Sequence, residues 1–471
     1  MSQSTFSPVT PEQWEAKATK DLKGRPLAKL SRQTLDGIEL PPLFRQAPEP
    51  DAGRIASEGV AKRWRSVQEL HHADPEAANR AARRDLELGA DGLRFVLDRA
   101  IMAGREPGAD HDGLMCDPAE SLDALLAGID PRRTPVFIDA GLAAPIWIDQ
   151  LEEWIDNLPE LDDDGDDGEA GEAELGRGVA HGGVIYDPLA ALAETGSIEL
   201  ELDAALGRMV DTVLGMRAGL LGVSTRPYHD AGASDGYELG LALASCAELL
   251  RRGEAFELEI GDLVPAMVWT LPLSGRPFEA IAKLRAARVV WAKFCAAAGL
   301  GEPGSLWIHA TSSRREWTRL GPWVNLLRGT VGSFAAAIGG ADAVATGAFD
   351  GLCGPEGDAV ADLGRGSELG RRLALNTQLI LRQESHLDRV IDPARGSYFV
   401  ETLTDALARS AWTHFQAIEA AGGLVAGLQS GSIQATIAET AATLTREAAT
   451  RRRPLTGLST FPVLDDQPTP E

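Results

Sequence analysis

The chain has 471 residues, 44% of them hydrophobic, which is enough for a large buried core and more than a minimal binding module needs. Its 45 Lys and Arg stand against 70 Asp and Glu, a formal charge of −25, so a nucleic-acid backbone or an anionic membrane surface is repelled overall. Four widely spaced cysteines, with no CxxC pair, exclude a thiolate zinc signature and a disulfide framework and read as core or near-core thiols. The opening residues lack a charged segment followed by an apolar run, and no uninterrupted apolar stretch of roughly 18 residues occurs, so the expectation is a soluble cytoplasmic protein without membrane contact.

Residues 1–60 hold one amphipathic stretch, 14–27, and Pro-bounded extended pieces such as 40–44, the composition of an arm laid on a neighbour rather than of a domain. From there a rhythm sets in. A polar, Ala-rich helix at 76–88 leads into LRFVLD at 93–98, and strand-length apolar runs recur at 135–141, 181–187, 219–225, 264–271, 306–312 and 342–349, with a weaker one, RVIDP, at 389–393. Helical patterns such as 236–252 and 276–298 lie between them. Eight near-continuous apolar strands alternating with helices require a parallel sheet buried on both faces, and a closed barrel fits better than an open sheet. The expected fold is α/β, a (β/α)8 TIM-like barrel over 61–400, with an arm at 1–60, helices at 401–450 and a tail at 451–471. The acidic insert 161–174 reads as a solvated loop, because its Asp spacing lacks the glycine an EF-hand calcium loop requires. The triplet Arg451–Arg453 reads as a helix end or an interface patch.

No short phosphate-binding, zinc-protease or nucleophile-elbow motif occurs in a usable context, so chemistry must be sought at the carboxyl ends of the strands. That places Asp98, Asp139, Tyr186 with Asp187, Arg226, Trp269 with Thr270, His309 with Ser312, and Asp350 near one mouth. Asp98 and Asp139 read first as helix caps, Arg226 as an internal ion pair before an anion contact, and His309 as a hydrogen-bonded core histidine before a ligand contact. Tyr228 and His229 stay open between the two. No partner set for a metal is spaced with His309.

Three runs carry more: RPYHDAGASDGYELGLALASCAELLRRGE at 226–254, AIAKLRAARVVWAKF at 280–294, and LALNTQLILRQESHLDRVIDPARGSYFVETLT at 373–404. They resemble the methylmalonyl-coenzyme A mutase family, and the likeness extends from about residue 15, through the helix and strand at 64–98, to GLSTFP at 457–462. The resemblance implies an eight-stranded barrel; the family's second, flavodoxin-like domain, which binds adenosylcobalamin through an Asp-x-His-x-x-Gly pattern, has no counterpart in these residues.

It also implies where catalysis would sit. The family's Tyr–His pair after the fourth strand falls on Arg226 and Pro227, with Tyr228 and His229 two residues late, and no tyrosine precedes Tyr186. Its Thr and Gln contacts fall on Val184 and Tyr186, its coenzyme A-binding Arg and nearby Ser on Ala266 and Val268, its His-Ser-Gln on His309–Ala310–Thr311, and a ribose-contacting Glu on Gly351. The resemblance therefore implies no catalytic, cofactor or metal residue in this chain, with Arg226, Tyr228, His229 and His309 as vestigial ligand-facing positions. It further implies a small, beta-type subunit beside a catalytic large subunit that holds the adenosylcobalamin. Alternatives are a barrel active only with a separate cobalamin-binding subunit, and a barrel repurposed for another metabolite. The bulk of Val184, Tyr186, Met267, Val268 and Trp269 is expected to narrow the mouth.

Overall fold

The computed structural model describes residues 9–45, 63–107, 112–159, 182–198, 202–208, 217–300, 306–353 and 366–463. Eight strands close a parallel barrel: β1 (Arg65–Leu70), β2 (Gly92–Val96), β3 (Val136–Asp139), β4 (Gly182–Tyr186), β5 (Gly219–Ser224), β6 (Met267–Leu273), β7 (Trp307–Ser312) and β8 (Ala343–Ala345), with β8 returning to β1. Seven of these coincide with the apolar runs in the sequence. The eighth run does not. Residues 389–393 form the end of a 3₁₀ turn and a bend in which Val390 and Ile391 are exposed and Asp392 takes a positive φ, so this apolar pair has no second face to bury. Its place is taken by β1, whose alternation of Arg65, Ser66, Gln68 and Glu69 with Val67 and Leu70 hides it from a search for apolar runs.

Alternation along each strand then sorts the core into two shells. A small inner cluster, Val67, Phe137, Ile185, Leu220, Val268, Trp307 and Ala343, fills the barrel, while a much larger one packs the strands against the helices. Val184, Tyr186, Met267 and Trp269 belong to the outer shell, so of the five bulky residues expected at the mouth only Val268 points inward. Gly182 opens β4 at φ +96°, where a Cβ would lie 2.3 Å from the Val136 carbonyl oxygen, so glycine alone lets these strands approach.

The helices Asp235–Ala255, Pro277–Ala297 and Tyr398–Ala420 pack together outside β5 to β7 and are followed by helices Gly423–Ser430 and Ser432–Ala449. In the arm, the helix Pro11–Asp21 is closed by a Thr10–Gln13 capping box and buries none of its residues. The short ladder Arg32–Gln33 with Glu39–Leu40 follows it. Asp36, in the turn between them, accepts from Ser234 Oγ at 2.7 Å and the Gly236 amide at 2.9 Å, and so fastens the arm to the start of the helix Asp235–Ala255. Asp36→Ala is expected to cost about 1 kcal/mol, the value of a helix cap, measured by urea unfolding; a change within error would show that the arm is held elsewhere. The acidic insert at 161–174 lies outside the described residues. Cys246 and Cys295 are buried, and Cys116 and Cys353 half-buried, all as free thiols. No helix among the described residues is long and apolar enough to cross a membrane.

Candidate functional site

A cavity of about 380 Å³ opens at the carboxyl ends of the strands, walled by Glu69, Arg94, Asp139, Asp187, Arg226 and Thr270 among others. Most of its charges are already spent on one another. Register sets Glu69 beside Arg94 and Thr270 beside His309. The Arg94 guanidinium donates to both Asp139 oxygens, at 2.9 Å and 3.0 Å, and to Thr270 Oγ1 at 3.0 Å, and its Nη1 lies 3.1 Å from His309 Nδ1. Because a guanidinium only donates, that imidazole nitrogen is the acceptor and the ring is neutral. Burial, reinforced by Arg94, holds His309 well below the usual histidine range. Phe137 packs edge-on against the same ring.

Arg226 begins a short helix, Arg226–Ala231, and ion-pairs with Glu69 across the mouth. Burial alone would raise the Glu69 carboxyl, but Arg226, helped by His71 and Arg94, keeps it well below the normal carboxylate range. Asp187 caps the helix Pro188–Thr195 through the Ala190 amide and also accepts from the Ser224 amide, while burial pushes it up to about 7.

Of the four positions singled out in the sequence, only Arg226 reaches the cavity wall, and there it forms the internal ion pair rather than a free anion contact. Tyr228 is buried behind the wall beside Ser245. His229 Nδ1 lies 2.6 Å from Glu238 Oε1 and its Nε2 lies 2.7 Å from Ser313 Oγ, away from the mouth. His229, Asp235 and Glu238 have the spacing of a metal site, but the Lys283 ammonium sits among them, 2.6 Å from Glu238 and 3.1 Å from Asp235. His309 is enclosed beneath the cavity floor.

The remaining mouth residues divide in the same manner. Asp98 caps the turn Arg99–Met102 as expected, whereas Asp139 is no cap and holds Arg94 instead. Tyr186 and Trp269 face the helices, with the Tyr186 hydroxyl donating to the Ala205 carbonyl. Thr270 and Ser312 line the cavity, and Asp350 turns aside to accept from the Ser367 amide. Glu69, His71, Arg94 and Arg314 complete the wall and were not identified from the sequence. Glu69 lies on the polar strand that carried no apolar signal and His71 directly after it, and Arg94 hides within an otherwise apolar run.

The columns that the resemblance singles out hold other residues in other places. The columns that the family resemblance assigns to a Tyr–His pair place Arg226 and Pro227 in the wall, while the actual Tyr228 and His229 are turned into the core. A shift of two residues in a packed turn exceeds the tolerance of a catalytic contact. Val184 and Tyr186 face outward, Val268 fills the interior, and Gly351 brings no carboxylate to the wall.

Fold and site together define a parallel eight-stranded barrel whose mouth pairs most of its charges internally. The family described as methylmalonyl-CoA mutase matches residues 182–471. A methylmalonyl-CoA mutase small subunit from Streptomyces virginiae is 35% identical over 486 residues, covering 98% of this chain and 72% of its own length. The small subunit from Propionibacterium freudenreichii subsp. shermanii is 30% identical, with 98% and 69% covered. A methylmalonyl-CoA mutase from Escherichia coli is 26% identical, with 92% and 61% covered. The chain belongs to the methylmalonyl-CoA mutase family, and its similarity to the family's small subunits spans nearly its whole length.

Proposed function

We propose that the chain is the non-catalytic small subunit of a methylmalonyl-CoA mutase, an isomerase that interconverts methylmalonyl-CoA and succinyl-CoA, and that it supports a catalytic large subunit which carries adenosylcobalamin. The observation that carries this reading is the burial of Tyr228 and His229 behind a wall whose main charges pair internally, Arg94 with Asp139 and Arg226 with Glu69. In this reading no residue of the chain is catalytic, and none holds cobalamin or a metal.

Pairing is supported by surfaces that the isolated chain leaves uncovered. The arm helix Pro11–Asp21 buries no residue, and the helix Trp323–Gly339 exposes Trp323, Leu327 and Phe334 along one side. The exposed apolar side of the second of these helices is the kind of surface that marks interfaces. Residues 1–60 act as the arm that reaches the neighbour, and residues 61–400 form the barrel it extends from.

The test has two halves. Isothermal titration of the purified chain with methylmalonyl-CoA and with adenosylcobalamin is expected to show no binding at micromolar concentration. Loss of the two coenzyme A contacts at Ala266 and Val268 removes about 1.5–3 kcal/mol each, a hundredfold or more in affinity together. Mixing with the large subunit of the same cell is expected to give one co-eluting species on size-exclusion chromatography. Micromolar binding of either ligand overturns the non-catalytic reading, and separate elution at tens of micromolar overturns the pairing.

A further inference from the structure

Charge pairing in the cavity wall leaves a remainder. Arg94 is held by Asp139, Arg226 by Glu69, Arg371 by Asp85, and Arg99 by Asp112 and Glu194 at 3.4 Å and 3.0 Å. Arg314, just beyond β7, lines the same cavity, and its side chain forms no hydrogen bond or ion pair among the described residues. Burial, with Arg226 nearby, presses its guanidinium down to about 10, and the Glu69 and Asp230 carboxylates, neither of them within ion-pair distance, offset this only in part. Desolvated charges in folded proteins are ordinarily paired.

A second, independent remainder lies beside it. Thr311 is on the inward register of β7, two residues beyond His309; it is 5% exposed, and its Oγ1 has no hydrogen-bond partner. The His71 ring, also 5% exposed and in the wall, has its nearest acceptors at 3.6 Å on Glu69 and 3.9 Å on Asp112, beyond normal hydrogen-bond reach. Buried polar atoms in native structures are satisfied by protein, water or ligand. Here a cation, a hydroxyl and an imidazole border one space.

We propose that the barrel mouth binds a small carboxylate anion, with Arg314 supplying the charge and Thr311 and His71 the flanking hydrogen bonds. The class follows from the chemistry. A carboxylate offers one negative charge and about four acceptor positions in a plane that suits a guanidinium fork. Phosphate, with up to two charges, would require a second unpaired cation, and a coenzyme A tail several. The nearby carboxylates do not oppose the ligand strongly: Glu69 and Asp139 are ion-paired, Asp187 is pushed up to about 7, and Asp230 is exposed to solvent. A volume of about 380 Å³ lies at the small end of ligand cavities. The four positions favoured by the sequence are not the binding set, since Arg226 is committed and Tyr228, His229 and His309 do not line the space.

The experiment is isothermal titration of the full chain, at low ionic strength and pH 7.5, with acetate, succinate and inorganic phosphate as probes. Because no partner subunit is present, its outcome is separate from the pairing test. Saturable binding of at least one carboxylate is expected, stronger than phosphate, weakened about tenfold or more by Arg314→Gln and several-fold by Thr311→Val. If Arg314→Gln does not fold, Arg314→Lys takes its place beside Thr311→Val, and weaker binding in both is the expected result. No saturable carboxylate binding, binding unchanged in the variants, or tighter binding of phosphate overturns the proposal.

Discussion

Replacing Lys283 with methionine is expected to lower the unfolding free energy by about 3–5 kcal/mol, because it strands a buried carboxylate. Lys283 is 1% exposed and Glu238 is completely buried, on the two long helices Pro277–Ala297 and Asp235–Ala255. Glu238 accepts from Lys283 Nζ and faces His229 Nδ1, both at 2.6 Å, with Thr225 Oγ1 at 3.3 Å; Lys283 also donates to the Pro272 carbonyl at 3.0 Å. The ammonium thus ties both helices to the end of β6. Burial works to raise the Glu238 and Asp235 carboxyls, but His229 and Lys283 around the first and Lys283 with Arg315 and His229 around the second bring them below their ordinary values. Carboxyls depressed in the folded state stabilise it fully above their unfolded values near 4, and that contribution drains away as pH falls through the folded values. Wild-type stability should therefore fall on acidification below about pH 4, and Lys283→Met should flatten this dependence. Urea unfolding at pH 7 and at several acidic values measures both. A loss below 1 kcal/mol would mean that the cluster is solvated and does not clamp the helices.

Arg94→Met should cost a comparable amount, about 3–5 kcal/mol, by leaving Asp139 unpaired inside the barrel. The guanidinium is 2% exposed and is the centre of a set that includes Asp139, Thr270 and His309, so one substitution empties the contacts of β2 with three other strands. A spectroscopic sign accompanies the loss. With the Arg94 charge gone, one of the forces holding His309 below its ordinary range disappears, and the histidine should titrate at higher pH in proton NMR. Restoring neutrality with Asp139→Asn in the same chain should recover part of the stability. An Arg94→Met variant as stable as wild type, with His309 unmoved, would remove this ion pair from the description of the barrel interior.

Seven barrel strands were legible because parallel strands buried on both faces leave apolar runs, and the helices between them were legible from their period. β1 was hidden for a physical reason. Its Ser66 and Gln68 are buried through hydrogen bonds, Ser66 through its amide to Asp91 and Gln68 through its side chain to the Arg371 carbonyl, contacts that composition does not reveal. The run at 389–393 misled in the opposite direction, since Val390 and Ile391 are apolar but exposed. At the mouth, strand ends located Asp139, Asp187, Arg226 and Thr270, while alternation, which is fixed only once register is known, removed Tyr186 and Trp269. His229 could not be placed from spacing, because what satisfies it, Glu238 and Ser313, lies on other elements. Arg314 gives no sequence signal, since only the pairing of every neighbouring arginine makes it distinctive.

Isolation of the tagged chain from its native cell, with mass spectrometry of whatever accompanies it and a mutase assay on the same fraction, tests the central claim most directly. The expected result is one larger mutase-family chain in equal amount, activity with methylmalonyl-CoA in that fraction, and none in the chain stripped of its partner. Turnover by this chain with only an isolated cobalamin-binding subunit, or its recovery alone from cells that contain the large subunit, would contradict it.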